Sequence, residues 1–362
     1  MNLIIFGAQG YALGAYRAIS TLYPERSVLC FMVSKMGNNA PVLGGIPVKE
    51  IDEVSGSMRE EDKSNTEILI ATPENIQIEI EKALEGYGFY NHIALTSERW
   101  DELMKSYHAK QGQFALLSDM PEGSIEPSVR IYMAKSHVDR PLQHMVSLPD
   151  YVYPIQVGRE NTEIRIADIV DNTGDNISNR NCNYSELTGL YWIWKNKVCD
   201  CGENSYYGFG QYRRMLTFTQ DDLLRLVDND IDAVLPYPLL YEPSIHAHHE
   251  RYIKSDDWDA LLKAVEELEP EYKKCFDEIL NQQYFYNYNV ILAKKSVLCD
   301  YCSWLFPILM RTEELTDGKN RSERYIGYMA ETLETLYFIK NSKKSKFGGR
   351  LNIAHTLCKL YV

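Results

Sequence analysis

Over the first hundred residues, short apolar runs alternate with stretches whose apolar positions recur at helical spacing. LIIF at 3–6 predicts a strand, and Tyr16, Ala18, Ile19 and Leu22 predict the helix after it. Further strands are predicted at 28–33 and 67–71, the latter closed by Thr72 and Pro73, and Ile76, Ile80, Ala83 and Leu84 mark another helix. This alternation predicts a small doubly wound, Rossmann-like α/β domain over 1–108. Gly112, Pro121, Gly123 and Pro127 make 109–128 the expected linker.

The second half is richer in turn formers. VRIYMA, from Val129, predicts a strand that ends at Lys135, Ser136 and His137, and open α/β sheets hold ligands at such strand ends. Another strand is predicted at 151–157. Residues 171–196, DNTGDNISNRNCNYSELTGLYWIWKN, set Asx residues and Gly174 against an amphipathic helix carrying Leu187, Leu190, Tyr191 and Trp194. Asn183 with Glu186 three residues later fits a capping box, and the loop before it would meet free N–H groups that favour anions. Beyond lie the strand-like YYGFGQYRRML (206–216), a short strand at 231–235 and a His-rich loop with His246, His248 and His249. A helix begins near Asp256 and Asp257, residues 284–293 (YFYNYNVILA) predict one strand, and a helix over 324–339 carries Glu331 on a partly apolar face.

Composition adds boundaries. A chain of 362 residues with 45% hydrophobic content is long enough for two domains, and a net charge of −13 argues against a nucleic-acid partner. No apolar run reaches the roughly 20 residues of a membrane span, and the start of the chain lacks a basic signal-peptide region, so a cytoplasmic protein is expected. Residues 340–362 hold six Lys or Arg and no acid, a tail suited to solvent or to peripheral contact with the anionic inner face of a membrane. Eight cysteines predict reduced thiols. Cys199, Cys201, Cys299 and Cys302 have zinc-like spacing, but small buried residues explain the second pair more simply, and no metal is expected.

Two motifs suggest anion chemistry. Gly7, Gly10 and Gly14 follow the first strand, where glycine lets a diphosphate approach backbone N–H groups. Their spacing is G-x-x-G-x-x-x-G rather than G-x-G-x-x-G, and Val33, Ser34 and Lys35 stand where an acid would bind ribose, which favours a structural turn over NAD(P). Arg213 and Arg214 are either a solvated pair or a bidentate diphosphate clamp.

Several blocks in a fixed order carry a more specific signal: YMAKSH (132–137), YPIQVG (153–158), DNTGDNIS (171–178), YSELTGLYWIWKN (184–196), YRR (212–214), PEY (270–272), CSWLF (302–306), and Arg324 with GYMAE (327–331). Over about 129–340 the chain resembles the family catalogued as domain of unknown function 4422, associated with bacterial capsule and O-antigen glycosyltransferases. The first domain resembles Rossmann-like modules of sugar-modifying and polysaccharide-assembly proteins, with GIPV (45–48) in similar order.

The resemblance implies a GT-A-like domain that moves a hexose, such as galactose or galactofuranose, from a nucleotide-diphosphate sugar to a lipid-linked or oligosaccharide acceptor. It implies donor contacts from Lys135, Ser136, His137, Glu186, Tyr212 and Asn289, a pocket shaped by Asp171, Asp175 and Asn176, and diphosphate stabilisation by Arg213 and Arg214 in place of a metal. Asp256, Asp257 and Glu331 are the candidates to take the acceptor proton, which requires a carboxylate about 3 Å from the hydroxyl. Gln211 stands where the family usually has His, Val290 follows Asn289 where Met is expected, and Asp256 stands where a His is expected ahead of the acidic helix. The alternatives are an NAD(P)-dependent oxidoreductase or nucleotide-sugar modifier using the glycines, and a non-catalytic carbohydrate-binding protein using some of the 26 Tyr and five Trp.

Overall fold

The structure is a computed structural model that describes residues 2–142, 147–198, 204–250, 252–317 and 323–360. The chain forms two compact units, one of residues 2–114 with 239–242, the other of 115–238 with 243–360.

The first unit contains β1 (Asn2–Phe6), α1 (Gly10–Leu22), β2 (Ser27–Val33), β3 (Val42–Leu43), β4 (Ile46–Glu50), α2 (Ile51–Ser57), α3 (Glu60–Ser64), β5 (Thr66–Ile70), α4 (Gln77–Gly86), β6 (His92–Ala94) and α5 (Ser97–Gln111). Its sheet runs β3-β4-β2-β1-β5-β6, parallel except for the β3–β4 pair. The central strands are apolar runs buried on both faces, as helix-covered parallel sheets require. Ile4, Phe6, Met32, Ile68, Ile70 and Leu84 share one core. The doubly wound pattern expected from the sequence is therefore present.

The second unit contains β7 (Ser128–Lys135), β8 (Val152–Gln156), β9 (Ile169–Val170), α6 (Asn181–Tyr184), α7 (Leu187–Asn196), β10 (Ser205–Gln211), β11 (Arg214–Leu216), α8 (Gln220–Asp228) and β12 (Ala233–Pro236). After β13 (Leu239–Leu240), which belongs to the first unit, come α9 (Ile245–His249), α10 (Ser255–Leu268), α11 (Pro270–Leu280), β14 (Tyr284–Phe285), β15 (Ile291–Lys294), α12 (Lys295–Leu315), α13 (Tyr325–Asn341), β16 (Ile353–Thr356) and β17 (Cys358–Leu360). The main sheet runs β16-β12-β15-β10-β7-β8-β9, with β11 and β17 attached beside β10. Strands β10, β7, β8 and β9 are mutually parallel, so their C-terminal ends open on one edge.

Three sequence expectations change. Residues 115–128 are not a free linker: Leu117 and Met120 pack into the second core, and the Ala115 carbonyl accepts from His355 N–H at 2.8 Å. The basic residues 341–360 are not a free tail, because β16 pairs with β12 and β17 with β11, and the apolar Ile353, Ala354 and Leu360 are buried. The strand expected over 284–293 is interrupted, since Tyr288 (φ +79°) and Asn289 (φ +52°) adopt left-handed backbone that a ladder cannot continue through.

Candidate active site

Tyr212 N–H donates to the Ala134 carbonyl at 2.8 Å, which ties the turn after β10 to the end of β7. That link brings Arg213 to the polar end of β7. Ser136 N–H donates to Asp139 Oδ2 at 2.6 Å, and Asp139 is half-buried beside the Lys135 and Arg213 cations. Burial raises the Asp139 carboxyl above its ordinary range, against those cations, and Glu186 adds to the rise. Asp139 escaped the sequence reading, although it stands only four residues beyond Lys135. His137 Nδ1 is buried without a hydrogen-bond partner.

Arg214 diverges from its neighbour. Its guanidinium carbon sits 3.7 Å from the centre of the Tyr288 ring, and its charge acts on Glu331. Arg213 thus faces Asp139 and Arg214 faces Tyr288 and Glu331, with Glu186 acting on both Asp139 and Glu331.

Glu186 is the hub of the second group. Its buried carboxylate accepts from Gln211 Nε2 and Asn289 Nδ2 at 3.0 Å, and from Arg324 Nη2 at 2.9 and 3.0 Å. The capping box expected from Asn183 and Glu186 does not form. Ser185 at φ +50° separates α6 from α7, Asn183 lies within α6, and the Glu186 side chain turns away from the helix end. The left-handed turn that breaks the strand at 284–293 also delivers Asn289. Arg324 spans from solvent to this carboxylate, with its side chain 42% exposed against 8% for Glu186.

Two more carboxyls stand one turn apart on α13. Glu331 is buried, accepts the Tyr288 backbone N–H, and is pushed up to about 8 by burial and by Glu186, with Arg324 opposing. Glu334 is deeper. Both its oxygens are buried without a hydrogen-bond partner, and burial followed by Glu331 and Glu186 raises it well above the carboxylate range. Asn289 Oδ1 is likewise buried and unmatched. Carboxyls with raised proton affinity beside an ion pair are characteristic of functional sites.

Other sequence candidates fall elsewhere. Asp171 is fully buried and accepts from Gly158 N–H (2.8 Å), Arg159 N–H (3.1 Å), Ser178 Oγ (2.5 Å) and Thr188 Oγ1 (2.7 Å). It anchors the loop after β8 and leaves no oxygen for a pocket wall. Asp175 accepts from the Tyr191 hydroxyl at 3.0 Å, and Asn176 closes an Asx turn onto Ser178 N–H at 3.2 Å, so both build the loop. Asp256 is exposed and Asp257 buried in the first turn of α10, where acids suit the helix dipole.

The histidines expected in an exposed loop form α9, with His248 and His249 buried; His249 Nε2 lies 2.6 Å from Thr332 Oγ1. Burial, reinforced by His248, lowers His249 to about 3. Among the described residues no group of three His, Cys, Asp or Glu is arranged to hold a metal ion. Cys199 and Cys201 lie outside the described residues, and Cys302 is fully buried.

In the first unit the three glycines are used by the protein itself. Gly7 has φ +126°, and a Cβ there would lie 2.7 Å from the Ala71 carbonyl. A Cβ on Gly10 would meet Leu240 O and the Tyr241 ring at 3.3 Å, and one on Gly14 would meet the Trp100 ring at 2.8 Å.

A family model described as a domain of unknown function, DUF4422, matches residues 131–342, a span that includes the C-terminal part of β7, both arginines, Glu186, Arg324 and Glu331. The solved apo structure of WbbM, a bifunctional glycosyltransferase, is 28% identical over 65% of this chain, with a TM-score of 0.53. The match covers 45% of the WbbM chain, so this protein spans less than half of that relative. Comparison with curated proteins gives no match. The parallel-dominated sheet with its helical covering is a GT-A-like α/β fold, and the chain belongs to the DUF4422 family of glycosyltransferase-like proteins.

Proposed function

We propose that this chain is a glycosyltransferase that moves a hexose from a nucleotide-diphosphate sugar to a carbohydrate acceptor. The observation that carries the reading is the convergence of Lys135 and Arg213 with the Glu186, Arg324 and Glu331 group beyond the C-terminal ends of β7 and β10. The similarity to WbbM supports the same reading.

Lys135 and Arg213 meet the diphosphate, where cations stabilise the charge of the leaving group. As the anomeric carbon–oxygen bond breaks, the nucleoside diphosphate departs with the electron pair, the acceptor oxygen bonds to the anomeric carbon, and its proton passes to a carboxylate. Glu331 is the proton acceptor of choice among Asp256, Asp257 and Glu331, because it lies against the Arg324–Glu186 pair while the two aspartates stand in the first turn of α10; burial raises its affinity for a proton. Glu186 positions Arg324, Gln211 and Asn289 and takes no proton in this scheme. Lys135 and Arg213 fill the role a divalent cation has in other transferases.

The family resemblance points to galactose or galactofuranose as the hexose, and to a capsule, O-antigen or exopolysaccharide intermediate as acceptor. No helix among the described residues is long and apolar enough to cross a membrane, and the exposed Lys343, Lys344, Lys346 and Arg350 suit peripheral contact with an anionic surface.

A panel of UDP-, GDP- and dTDP-hexoses, assayed for donor hydrolysis with and without chelator, tests the proposal. Turnover of one donor that persists in chelator supports it. No turnover of any donor counts against transfer, and turnover abolished by chelator counts against the arginine role.

A further inference from the structure

The first turns of α13 place Arg324, Tyr328 and Glu331 at i, i+4 and i+7, along one face. Arg324 reaches Glu186 at one end, and its guanidinium carbon lies 5.4 Å from the centre of the Tyr328 ring. On the far side of Tyr328 stands Tyr252, with ring centres 5.4 Å apart and planes at 37°. Tyr252 is 51% exposed, so a broad aromatic face looks into solvent beside the charged group.

A single exposed tyrosine needs no explanation. This one is held from behind. His248 packs against it with ring centres 5.2 Å apart, the neighbouring His249 bonds Thr332 of α13, and Trp258 stacks on His249 at 5.5 Å. The buried histidines therefore tie α9 to α13, and His248 backs the Tyr252 ring. A ring pair supported in this way and bordered by Arg324 loses little entropy when a flat partner settles on it.

We propose that Tyr252 and Tyr328 form the acceptor subsite, a platform on which one pyranose ring of the acceptor stacks next to Arg324 and Glu331. The C–H face of a pyranose is apolar and weakly positive, complementary to the negative face of an aromatic ring, while the hydroxyls on its rim accept from N–H donors such as Arg324 supplies. The inference rests on the glycosyltransferase reading and gives the acceptor a place in it.

The test uses the full chain and the methyl pyranosides of galactose, glucose and mannose as probes. Saturation-transfer NMR is expected to show ring-proton contact for at least one glycoside, weakened about tenfold by Tyr252→Ala and retained by Tyr252→Phe. In transfer assays Tyr252→Ala is expected to raise the KM for acceptor about tenfold, while the KM for donor moves much less. Absence of glycoside contact in the parent protein, equal contact in Tyr252→Ala, or a rise confined to the donor KM would each overturn the proposal, the last by assigning the rings to the nucleotide base. Calorimetry with UDP, GDP and dTDP separates the two readings. Glycoside contact without nucleotide binding would leave the platform standing and remove the transferase reading; nucleotide binding without glycoside contact would do the reverse.

Discussion

Each unit has a strand that runs into a turn beside a helix start, and the two turns are used in opposite ways. After β1, the glycines give their missing side chains to packing: a Cβ at Gly7, Gly10 or Gly14 would run into Ala71, Tyr241 or Trp100. After β7 and β10, side chains converge with charges and orphaned polar atoms that the protein does not fully satisfy. The lesson is that a glycine pattern reports close approach but not what approaches, whereas carboxyls with raised proton affinity gathered among cations point to chemistry.

The sharpest way to break this contrast is Arg213→Ala. Loss of one preorganised cation from the diphosphate is expected to cut donor hydrolysis about 100- to 1,000-fold, and unchanged turnover would remove the β7–β10 edge from the chemistry. Next in size is Glu186→Ala, which removes the carboxylate shared by Arg324, Gln211 and Asn289, leaving Gln211 its bond to the Tyr288 carbonyl and Asn289 its longer one to Gly327. A stability loss of about 3 kcal/mol in urea denaturation is expected, with Glu186→Gln milder. On the packing side, Gly14→Ala should lower stability by about 1–3 kcal/mol through overlap with Trp100, with donor hydrolysis unaltered.

Glu331 supplies a pH signature. Its carboxyl is raised to about 8 in the folded protein from an ordinary 4.5, so the folded state holds a proton that the unfolded state has lost between those values. Its contribution therefore favours folding at low pH and declines as pH rises from about 4.5 to about 8. Glu331→Gln should flatten that part of the stability–pH curve, and transfer by the parent enzyme should climb toward pH 8 as the carboxylate forms. The smallest effect belongs to the glycine turn: millimolar NAD or NADP is expected to leave the melting temperature unmoved. A clear shift, about 2.7 kcal/mol of stabilisation at a hundredfold excess over Kd, would erase the contrast between the two turns.

Both units were legible in the sequence because apolar runs and helical spacing report burial directly, as at 3–6 and 128–135. The ends of β7 and β10 were legible too, since Lys135 and Arg213 follow strands whose alternation is lost to burial. Glu186 was misread. Asn183-x-x-Glu186 satisfies a local capping rule, and only the positive φ of Ser185 and three distant donors divert the carboxylate. Asp171 drew notice for its neighbours in a polar loop, but its four bonds to protein donors depend on folding over β8. Asp139 and Glu334 carry no motif at all, and their importance comes from burial. The late basic segment looked like a tail because charge dominates its composition, while its short apolar strands pair with residues about 120 positions earlier.

The partners of Glu186 also bear on how the protein comes into being. Gln211 lies 25 residues along the chain, Asn289 lies 103 and Arg324 lies 138. Closing the longest of these loops costs about 1.5 kcal/mol more than closing the shortest. Its separation is comparable to the 120 residues between the paired strands β12 and β16, so the ring of donors and the far edge of the sheet depend on the same long-range closure. Docking of α13 therefore completes the Glu186 ring and the sheet-covering layer together, and a substitution that loosens α13 is expected to disturb Arg324 and Glu331 before it disturbs the strands of the sheet, a difference that hydrogen exchange would read.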